Sequence, residues 1–202
     1  FKSIRQKGWG IMKLSTNFVK DYVDIDVDVK KLAEDMTRVG NEYDSASNLI
    51  NATKLVIGQI TECEPHPDSD HLHLCKVNIG TEVLDIVCGA PNARTGLKVI
   101  VALDGAVLPE KTIKRGMIRG QESNGMLCSI AELGLEHKFL KPEDSEGIAE
   151  LGEDAEIGGD PIKYLQMDDG VIDFELTANR GDLLSILGMA YEVGAIYDKP
   201  LK

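Results

Sequence analysis

The sequence predicts an α+β fold, in which a small five-stranded β-barrel is inserted into a small, mainly helical domain. Two features of the apolar pattern lead to this prediction. Near both ends of the chain, apolar residues recur at the spacing of a helix, whereas residues 53–120 hold short runs of Val, Ile and Leu separated by turn residues. A length of 202 residues and a hydrophobic content of 43% suit one or two domains with a buried core.

The expected domain boundaries follow from the same pattern. Residues 12–52 and 158–202 are predicted to be the helical segments, and residues 53–157 the barrel. The two helical segments contain 41 and 45 residues, close to the size of about 40 residues below which a chain rarely folds alone. We therefore expect them to pack together as one discontinuous domain.

Residues 1–11, FKSIRQKGWGI, are basic and precede the first amphipathic segment, which begins at Met12. They lack the apolar stretch of a secretory signal, so a leader, an alternative start or appended residues are expected there. No run of about eighteen apolar residues occurs in the sequence, so no membrane-spanning segment is expected. A cytoplasmic protein is the expectation.

Two helices are expected in the first helical segment. A short helix near residues 17–22 would begin after Ser15 or Thr16. A second helix would follow Asp28, because an aspartate accepts hydrogen bonds from the first free backbone N–H groups of a helix. Gly40 is expected to end it, since glycine readily adopts the left-handed conformation found after helices.

Five short strands are expected in the barrel segment. They are KLVIGQITECE, HLHLCKVNIG, EVLDIVCG, KVIVALDGAVL and TIKRGMIRG. Gly58 lies inside the first strand, where glycine commonly marks a bulge or a barrel bend. Five short strands over about a hundred residues suit a small closed barrel, the OB-fold among them. The segment SIAELGL predicts a helical turn that closes the unit.

The last part of the chain begins with an acidic segment, residues 143–156, which holds seven Asp and Glu and no Lys or Arg. This composition is typical of a solvated loop and strand edge at a domain boundary. VIDFELT, residues 171–177, predicts a further strand. A helix with a wide apolar face is expected from about residue 182 to 197, and Pro200 would end it.

The cysteines do not have the short paired spacing of a structural zinc site, whereas the histidine-rich segment could hold a transition metal by its spacing alone. The four cysteines, Cys63, Cys75, Cys88 and Cys128, lie more than ten residues apart, which favours buried free thiols in a reducing cytosol. A second cluster holds His66, Asp68, Asp70, His71, His73 and Cys75. On a strand, His71, His73 and Cys75 would share one face, but Val77 and Ile79 continue that face toward the core. No metal site is therefore predicted.

No catalytic residues are predicted either. The segment GQESNGM is not a G-x-S-x-G nucleophile elbow, and neither a P-loop nor a dinucleotide-binding fingerprint occurs.

A basic stretch at residues 111–129, KTIKRGMIRGQESNGMLCS, is compatible with a nucleic-acid contact or with a solvated strand edge. The net charge of the chain is -12, and residues 53–157 carry ten Lys and Arg against eighteen Asp and Glu, a net charge of -8. Any such contact must therefore be local. Residues 53–157 also contain no Trp or Tyr and only one Phe, Phe139, so they lack the aromatic side chains on which single-strand-binding proteins stack bases. This composition is still compatible with a domain that binds folded RNA through its shape and backbone.

Several segments together resemble one family. Those of the barrel resemble the tRNA-binding OB-fold domain of synthetase-associated proteins: VIGQITECEPHPDSDHLHLCKVNIG, IVCGAPNARTGLKVIVALDGAVLP and IKRGMIRGQESNGMLCSIAELGL. The flanking segments, MKLSTNFVKDYVDIDVDVKKLAEDMTRVGNEYD and DFELTANRGDLLSILGMAYEVGAIYDKP, resemble the two halves of the first domain of the bacterial phenylalanyl-tRNA synthetase beta subunit. The resemblance runs from Met12 to the end of the sequence. Ala178 departs from it, because the family usually has proline there.

The resemblance implies an enzyme of two alpha and two beta subunits that joins phenylalanine to its tRNA with ATP and magnesium. This chain would be an N-terminal fragment of the beta subunit without catalytic or editing sites, and would serve as an accessory tRNA contact and structural module. The expected tRNA-binding residues are Lys111, Lys114, Arg115, Arg119, Ser123, Asn124 and Met126, with Arg94 and Lys98 as weaker candidates. A freestanding tRNA-binding OB-fold protein and a purely structural packing domain remain as alternatives.

Overall fold

The computed structural model describes residues 10–135, 140 and 147–202. Most of the expected leader, the only phenylalanine of residues 53–157 (Phe139), and residues 143–146 of the acidic segment lie outside this part. The chain divides into two compact units. The first unit joins the described residues up to Leu49 with Asp168–Lys202, and the second is Ile50–Met167. The sequence placed the boundaries at 52/53 and 157/158.

Ten strands and four α-helices are found in the described residues. In chain order they are β1 Gly10–Ser15, α1 Thr16–Tyr22, α2 Val29–Arg38, β2 Tyr43–Asn48, β3 Leu55–Pro65, β4 His73–Asn78, β5 Val83–Cys88, β6 Lys98–Leu103, β7 Gly116–Ile118, β8 Gln121–Ser123, β9 Gly125–Cys128, α3 Pro161–Tyr164, β10 Gly170–Leu176 and α4 Ile186–Tyr197. Short 3-10 turns cover Ala131–Leu133 and Gly181–Leu184. None of these helices has the length and apolar character that crossing a bilayer requires.

The first unit contains a three-stranded antiparallel sheet in the order β1-β10-β2. The prediction of helix throughout residues 12–52 is therefore wrong at both ends, where β1 and β2 are strands. Sheet pairing overrides local preference here, because β10 buries alternate side chains and needs a hydrogen-bonding neighbour on each side. None of the β2 side chains is fully buried, so its sequence gave little sign of a strand.

The two helices expected in this segment are confirmed, with their N-caps. The hydroxyl Oγ of Ser15 accepts a hydrogen bond from the backbone N–H of Phe18 at 3.1 Å, at the start of α1. The carboxylate of Asp28 accepts from the backbone N–H groups of Lys30 and Lys31, both at 3.0 Å, at the start of α2. These caps satisfy donors that would otherwise lack a partner.

The core of the first unit lies between its sheet and its helices. Its fully buried side chains include Leu14, Leu32, Met36, Ile172, Phe174 and Met189. At one border of this core, the carboxylate of Asp35 is only 3% exposed. It accepts hydrogen bonds from Lys31 Nζ at 2.6 Å and from the Tyr197 hydroxyl at 2.8 Å, and it pairs with Arg38. One carboxylate thus joins α2 to the end of α4.

The stability of the first unit is expected to depend on acid through Asp35. Hydrogen bonds from Lys31 and then Tyr197 lower the pKa of Asp35. The carboxylate therefore stabilises the fold above its unfolded-state pKa of about 3.9, and this contribution is lost as the pH falls through the lowered folded-state pKa. Asp35→Asn should lower the urea midpoint at pH 7, and the gap from the unmodified protein should shrink in acid. Asp24→Asn, at an exposed position, is the control, and a gap independent of pH would contradict the assignment.

The second unit is built on a five-stranded antiparallel sheet in the order β5-β4-β3-β6-β9. The sheet curls, because Asn124 donates its backbone N–H to the Asp85 carbonyl at 2.8 Å, and Val87 donates to Ser123 Oγ at 3.1 Å. These bonds bring the segment before β9 against β5, at the opposite edge of the sheet. The curled five-stranded sheet is consistent with the predicted OB-type barrel.

The fifth barrel strand differs from the predicted one. TIKRGMIRG was expected to fill that place, but it contributes only β7, which pairs with β8 in a separate two-stranded hairpin. The fifth strand is β9, which pairs with β6 and buries Leu127 and Cys128. The prediction failed because β9 has only four residues and begins with a glycine. The glycine expected to mark a bend, Gly58, lies where a Cβ would come within 2.7 Å of Val101 Cγ2.

Candidate nucleic-acid interface

The basic stretch forms a loop and a small β-hairpin in the second unit. We refer to residues 114–123, which contain β7 and β8, as the basic hairpin. Arg119 and Gly120 join the two strands with φ angles of 47° and 79°. Two successive positive φ angles are typical of a type I′ turn, which favours Asn-Gly. An arginine in this conformation costs roughly 1–2 kcal/mol relative to glycine. The geometry of the turn therefore does not by itself favour arginine at position 119.

Three cationic side chains of the basic hairpin are exposed. Lys114 has no hydrogen-bond or ion-pair partner among the described residues. Arg115 Nε lies 3.9 Å from Asp104 Oδ2, which is the outer limit of an ion pair. One terminal guanidinium nitrogen of Arg119 donates to the Asp68 carbonyl at 3.4 Å, a long hydrogen bond. All three cationic side chains can therefore bind an external anion without giving up a strong interaction within the described part of the protein.

The other three basic candidates are held by partners within the unit. Lys111 Nζ pairs with Glu132 at 2.7 Å. Arg94 binds both carboxylate oxygens of Glu150, at 2.7 and 2.6 Å, and these hydrogen bonds raise the pKa of Arg94 and lower the pKa of Glu150. Such two-pronged contacts are strong for a surface pair. These cations are already partly neutralised.

Lys98 fastens the acidic segment to the barrel. Its ammonium donates to the carbonyl of Ala155 at 2.7 Å and also to the carbonyl of Glu153. The backbone of Leu151 donates to the Lys98 carbonyl at 2.9 Å, so the same residue is tied twice to this segment. Lys98 therefore has a structural task that competes with any RNA contact.

The polar and apolar candidates of the stretch lie mainly inside the unit. Ser123 is 3% exposed, and its hydroxyl accepts from Val87 N–H and donates to the Gly125 carbonyl at 3.1 Å. The side-chain oxygen of Asn124 is buried without a partner among the described residues. Met126 is half-buried against a core cluster. These three side chains shape the junction between β8 and β9.

Sequence reasoning missed both the acidic partners and the apolar residues of the interface. Glu132 and Glu150 lie 21 and 56 residues from the cations that they bind, so no local signal marked them. Met117 and Ile118 are 67% and 41% exposed on the basic hairpin. The alternation of basic and apolar residues in TIKRGMIRG could have predicted an exposed apolar face.

The histidine-rich segment forms a turn. His66 is 4% exposed, and its Nδ1 accepts the backbone N–H of Asp68 at 3.0 Å. In the part of the chain that the structure describes, no group of three or more His, Cys, Asp and Glu side chains is arranged to hold a metal ion. The candidate site is thus a small cationic hairpin beside a tight turn. The cations of the hairpin can neutralise phosphates. Among the described residues of the site, no nucleophilic side chain is paired with a base.

Comparisons with known proteins identify the family to which this chain belongs. A family model described as "Putative tRNA binding domain" matches residues 55–160. The phenylalanine–tRNA ligase beta subunit of Lactiplantibacillus plantarum is 46% identical over 191 residues, which are 93% of this chain and 24% of that protein. The corresponding subunit of Idiomarina loihiensis is 47% identical over 188 residues, covering 92% of this chain and 23% of that one. The chain spans about a quarter of the length of these relatives.

Two solved structures overlap with about half of the chain. A "MetRS related protein" from Pyrococcus horikoshii matches with a TM-score of 0.38 and 21% identity, over 52% of this chain and 85% of that one. The C-terminal domain of Plasmodium vivax p43 matches with a TM-score of 0.35 and 23% identity, over 52% of this chain and 56% of that one. At these scores neither overlap bears on fold or function.

Proposed function

Because this chain belongs to the tRNA binding domain family, we propose that its second unit binds tRNA and that the basic hairpin supplies the main contact. The observation that carries the proposal is the exposure of Lys114, Arg115 and Arg119 on one short hairpin, in a unit whose other basic candidates are paired. Cations without strong partners can bind phosphate without first breaking an ion pair.

The contact is expected to be weak and insensitive to sequence. Three cations neutralise about three phosphates, so the dependence of affinity on salt should be shallow. Phosphate contacts fix the position of a nucleic acid but do not select its bases. Met117 and Ile118 can add apolar contacts to an unstacked base or to ribose. An accessory contact with folded tRNA fits these features better than sequence-selective recognition does.

We propose further that the chain is the N-terminal part of a phenylalanine–tRNA ligase beta subunit, in which the barrel unit is inserted into the first domain. The high identity to such subunits over 93% of this chain supports this assignment. The longer protein would act in the cytoplasm with an alpha subunit, as a tetramer of two alpha and two beta chains. By the resemblance to that family, ATP and magnesium would bind in other parts of the longer enzyme.

A purely structural role is the second candidate. The observation in its favour is that Lys111, Arg94 and Lys98 are all engaged within the second unit, in a segment of net charge -8. If this role holds, the unit packs against other parts of the longer protein and does not contact tRNA.

Arg119→Asn separates the two roles without disturbing the turn. Asn-Gly is the preferred sequence of a type I′ turn, so the hairpin should be retained while one charge is lost. We expect the affinity of the full chain for bacterial tRNA to fall about fivefold, and the slope of log affinity against log salt to fall by about one. Titration followed by fluorescence anisotropy at several salt concentrations measures both quantities.

The matched control is Lys163→Gln, which removes one exposed charge from α3 of the same unit. It should leave both affinity and salt slope unchanged. The double variant Arg115→Gln/Arg119→Asn should lower the slope by about two. An unchanged slope in the double variant, with the fold intact by circular dichroism, would rule out the basic hairpin as the contact and favour the structural role.

A further inference from the structure

Three of the four cysteines meet inside the barrel, although the sequence separates them widely. Cys63, Cys75 and Cys88 lie on β3, β4 and β5, which are adjacent strands of the sheet. Cys63 and Cys75 are direct cross-strand partners, and their Sγ atoms are 3.8 Å apart. Cys75 is 2% and Cys88 5% exposed, whereas Cys63 is only half-buried. Cys63 is thus the member that a small solute reaches most easily.

The backbone around Cys63 and Cys75 suits a disulfide. His66 donates its backbone N–H to the Leu72 carbonyl at 2.9 Å, which makes that pair a hydrogen-bonded one. Hydrogen-bonded and non-hydrogen-bonded pairs alternate along an antiparallel ladder, so the Cys63–Cys75 pair is of the second kind. The Cα atoms of such a pair lie about 4.5 Å apart, inside the disulfide range of about 4.4–6.8 Å.

Cys88 is placed to accept the proton of Cys75. Cys75 and Cys88 lie on adjacent strands in the same buried cluster, and the backbone N–H of Ala90 donates to Cys88 Sγ at 3.4 Å. The contact with Cys75 lowers the pKa of Cys88 to about 7 and raises the pKa of Cys75. Cys88 is diagonal to Cys75, since Cys75 pairs with Ile86, and diagonal Cα atoms are about 7–8 Å apart, too far for a disulfide.

We propose that Cys63 and Cys75 are a reversible oxidation site, at which hydrogen peroxide closes a cross-strand disulfide and Cys88 receives the proton of Cys75. Cys63 sulfur attacks one peroxide oxygen, the O–O bond breaks, and Cys63 sulfenic acid and one water result. Cys75 sulfur then attacks Cys63 sulfur and passes its proton to the Cys88 thiolate. The S–O bond breaks, the departing hydroxide takes a proton from solvent to form a second water, and Cys88 releases the proton of Cys75 to solvent. Two thiols are oxidised and one peroxide is reduced to two waters.

The site can be tested on the full chain by peptide mapping. Trypsin releases residues 55–76 as one peptide that contains Cys63 and Cys75 and no other cysteine. After peroxide treatment, and alkylation of the protein unfolded in denaturant, we expect this peptide to lose two hydrogen atoms and to carry no alkyl group. Cys88 and Cys128, on other tryptic peptides, should be alkylated as before, and dithiothreitol should restore both alkylation sites of peptide 55–76. Cys128 is an internal control, because burial raises its pKa to about 12.

Two variants test the role of Cys63 as a disulfide partner and the role of Cys88 as the proton acceptor. Cys63→Ser should abolish the closed peptide while Cys75 remains alkylatable. Cys88→Ala should close the same disulfide about tenfold more slowly at neutral pH, because the proton acceptor is gone. A closure rate unchanged in Cys88→Ala would remove Cys88 from the proposal. If peptide 55–76 in the unmodified protein stays doubly alkylated, or gains oxygen without closing, the oxidation site itself is refuted, and this result depends on no variant.

Discussion

The Phe174→Ala variant is expected to destabilise the first unit by about 3–5 kcal/mol, the usual loss when a fully buried phenylalanine is truncated. Phe174 is 1% exposed and lies on β10, the central strand of the β1-β10-β2 sheet. It packs in the same core cluster as Leu32 and Met36 of α2. The central strand of a paired sheet cannot move to fill the space, so a cavity remains and the contacts around it are lost.

Hydrogen exchange read by mass spectrometry measures this effect for each unit separately. Amides of β10 and α2 should exchange about 100-fold faster or more in Phe174→Ala, while amides of the barrel serve as an internal reference. Phe18→Ala is the matched control, because it is the same substitution at a side chain that is 59% exposed. A change for Phe174→Ala no larger than for Phe18→Ala would mean that Phe174 does not anchor this core.

Gly125→Ala is expected to destabilise the barrel unit by about 1–3 kcal/mol, the usual range for overpacking. A Cβ at this position would lie 2.8 Å from the carbonyl oxygen of Ala102 and 3.4 Å from Ile86 Cδ1. Ala102 belongs to β6, whose backbone is hydrogen-bonded on both sides, to β3 and β9, and has little freedom to move. The clash is therefore with backbone rather than with a flexible side chain.

The expected result is faster exchange of the β6 and β9 amides and a weaker bond between Asn124 N–H and the Asp85 carbonyl. Gly116→Ala is the control, since a Cβ at Gly116 meets no atom within 4 Å. Equal protection of β6 in the two variants would show that Gly125 is not required for the close approach of β9 and β6. The comparison tests the strand that the sequence did not predict.

The helices could be predicted because their signals are local. Asp28 and Ser15 cap the first residues of α2 and α1 within three positions, so residue type and spacing reveal them. Strands β3 to β6 were also predictable, because each carries several Val, Ile or Leu between turn residues. β1, β2 and β9 lacked such patterns, and their partners lie far away in the sequence.

The candidate site likewise combines features that the sequence predicted with contacts that only the structure shows. The sequence correctly placed a cluster of basic residues in an acidic chain, and three of them are exposed on the basic hairpin. It could not show that Lys111 and Arg94 bind Glu132 and Glu150, because charge pairing depends on distance in space. The tRNA role of these residues stays a prediction that the salt titration tests.

The sequence by itself determined the presence of a tRNA binding domain, the two first helices with their caps, and four of the five barrel strands. Only the tertiary structure decided which strand completes the barrel, which cations lack a strong partner among the described residues, and that Cys63, Cys75 and Cys88 share one core. The reason is physical: caps and amphipathic patterns act between near neighbours, whereas sheet closure, ion pairing and thiol contacts join residues that the fold alone brings together.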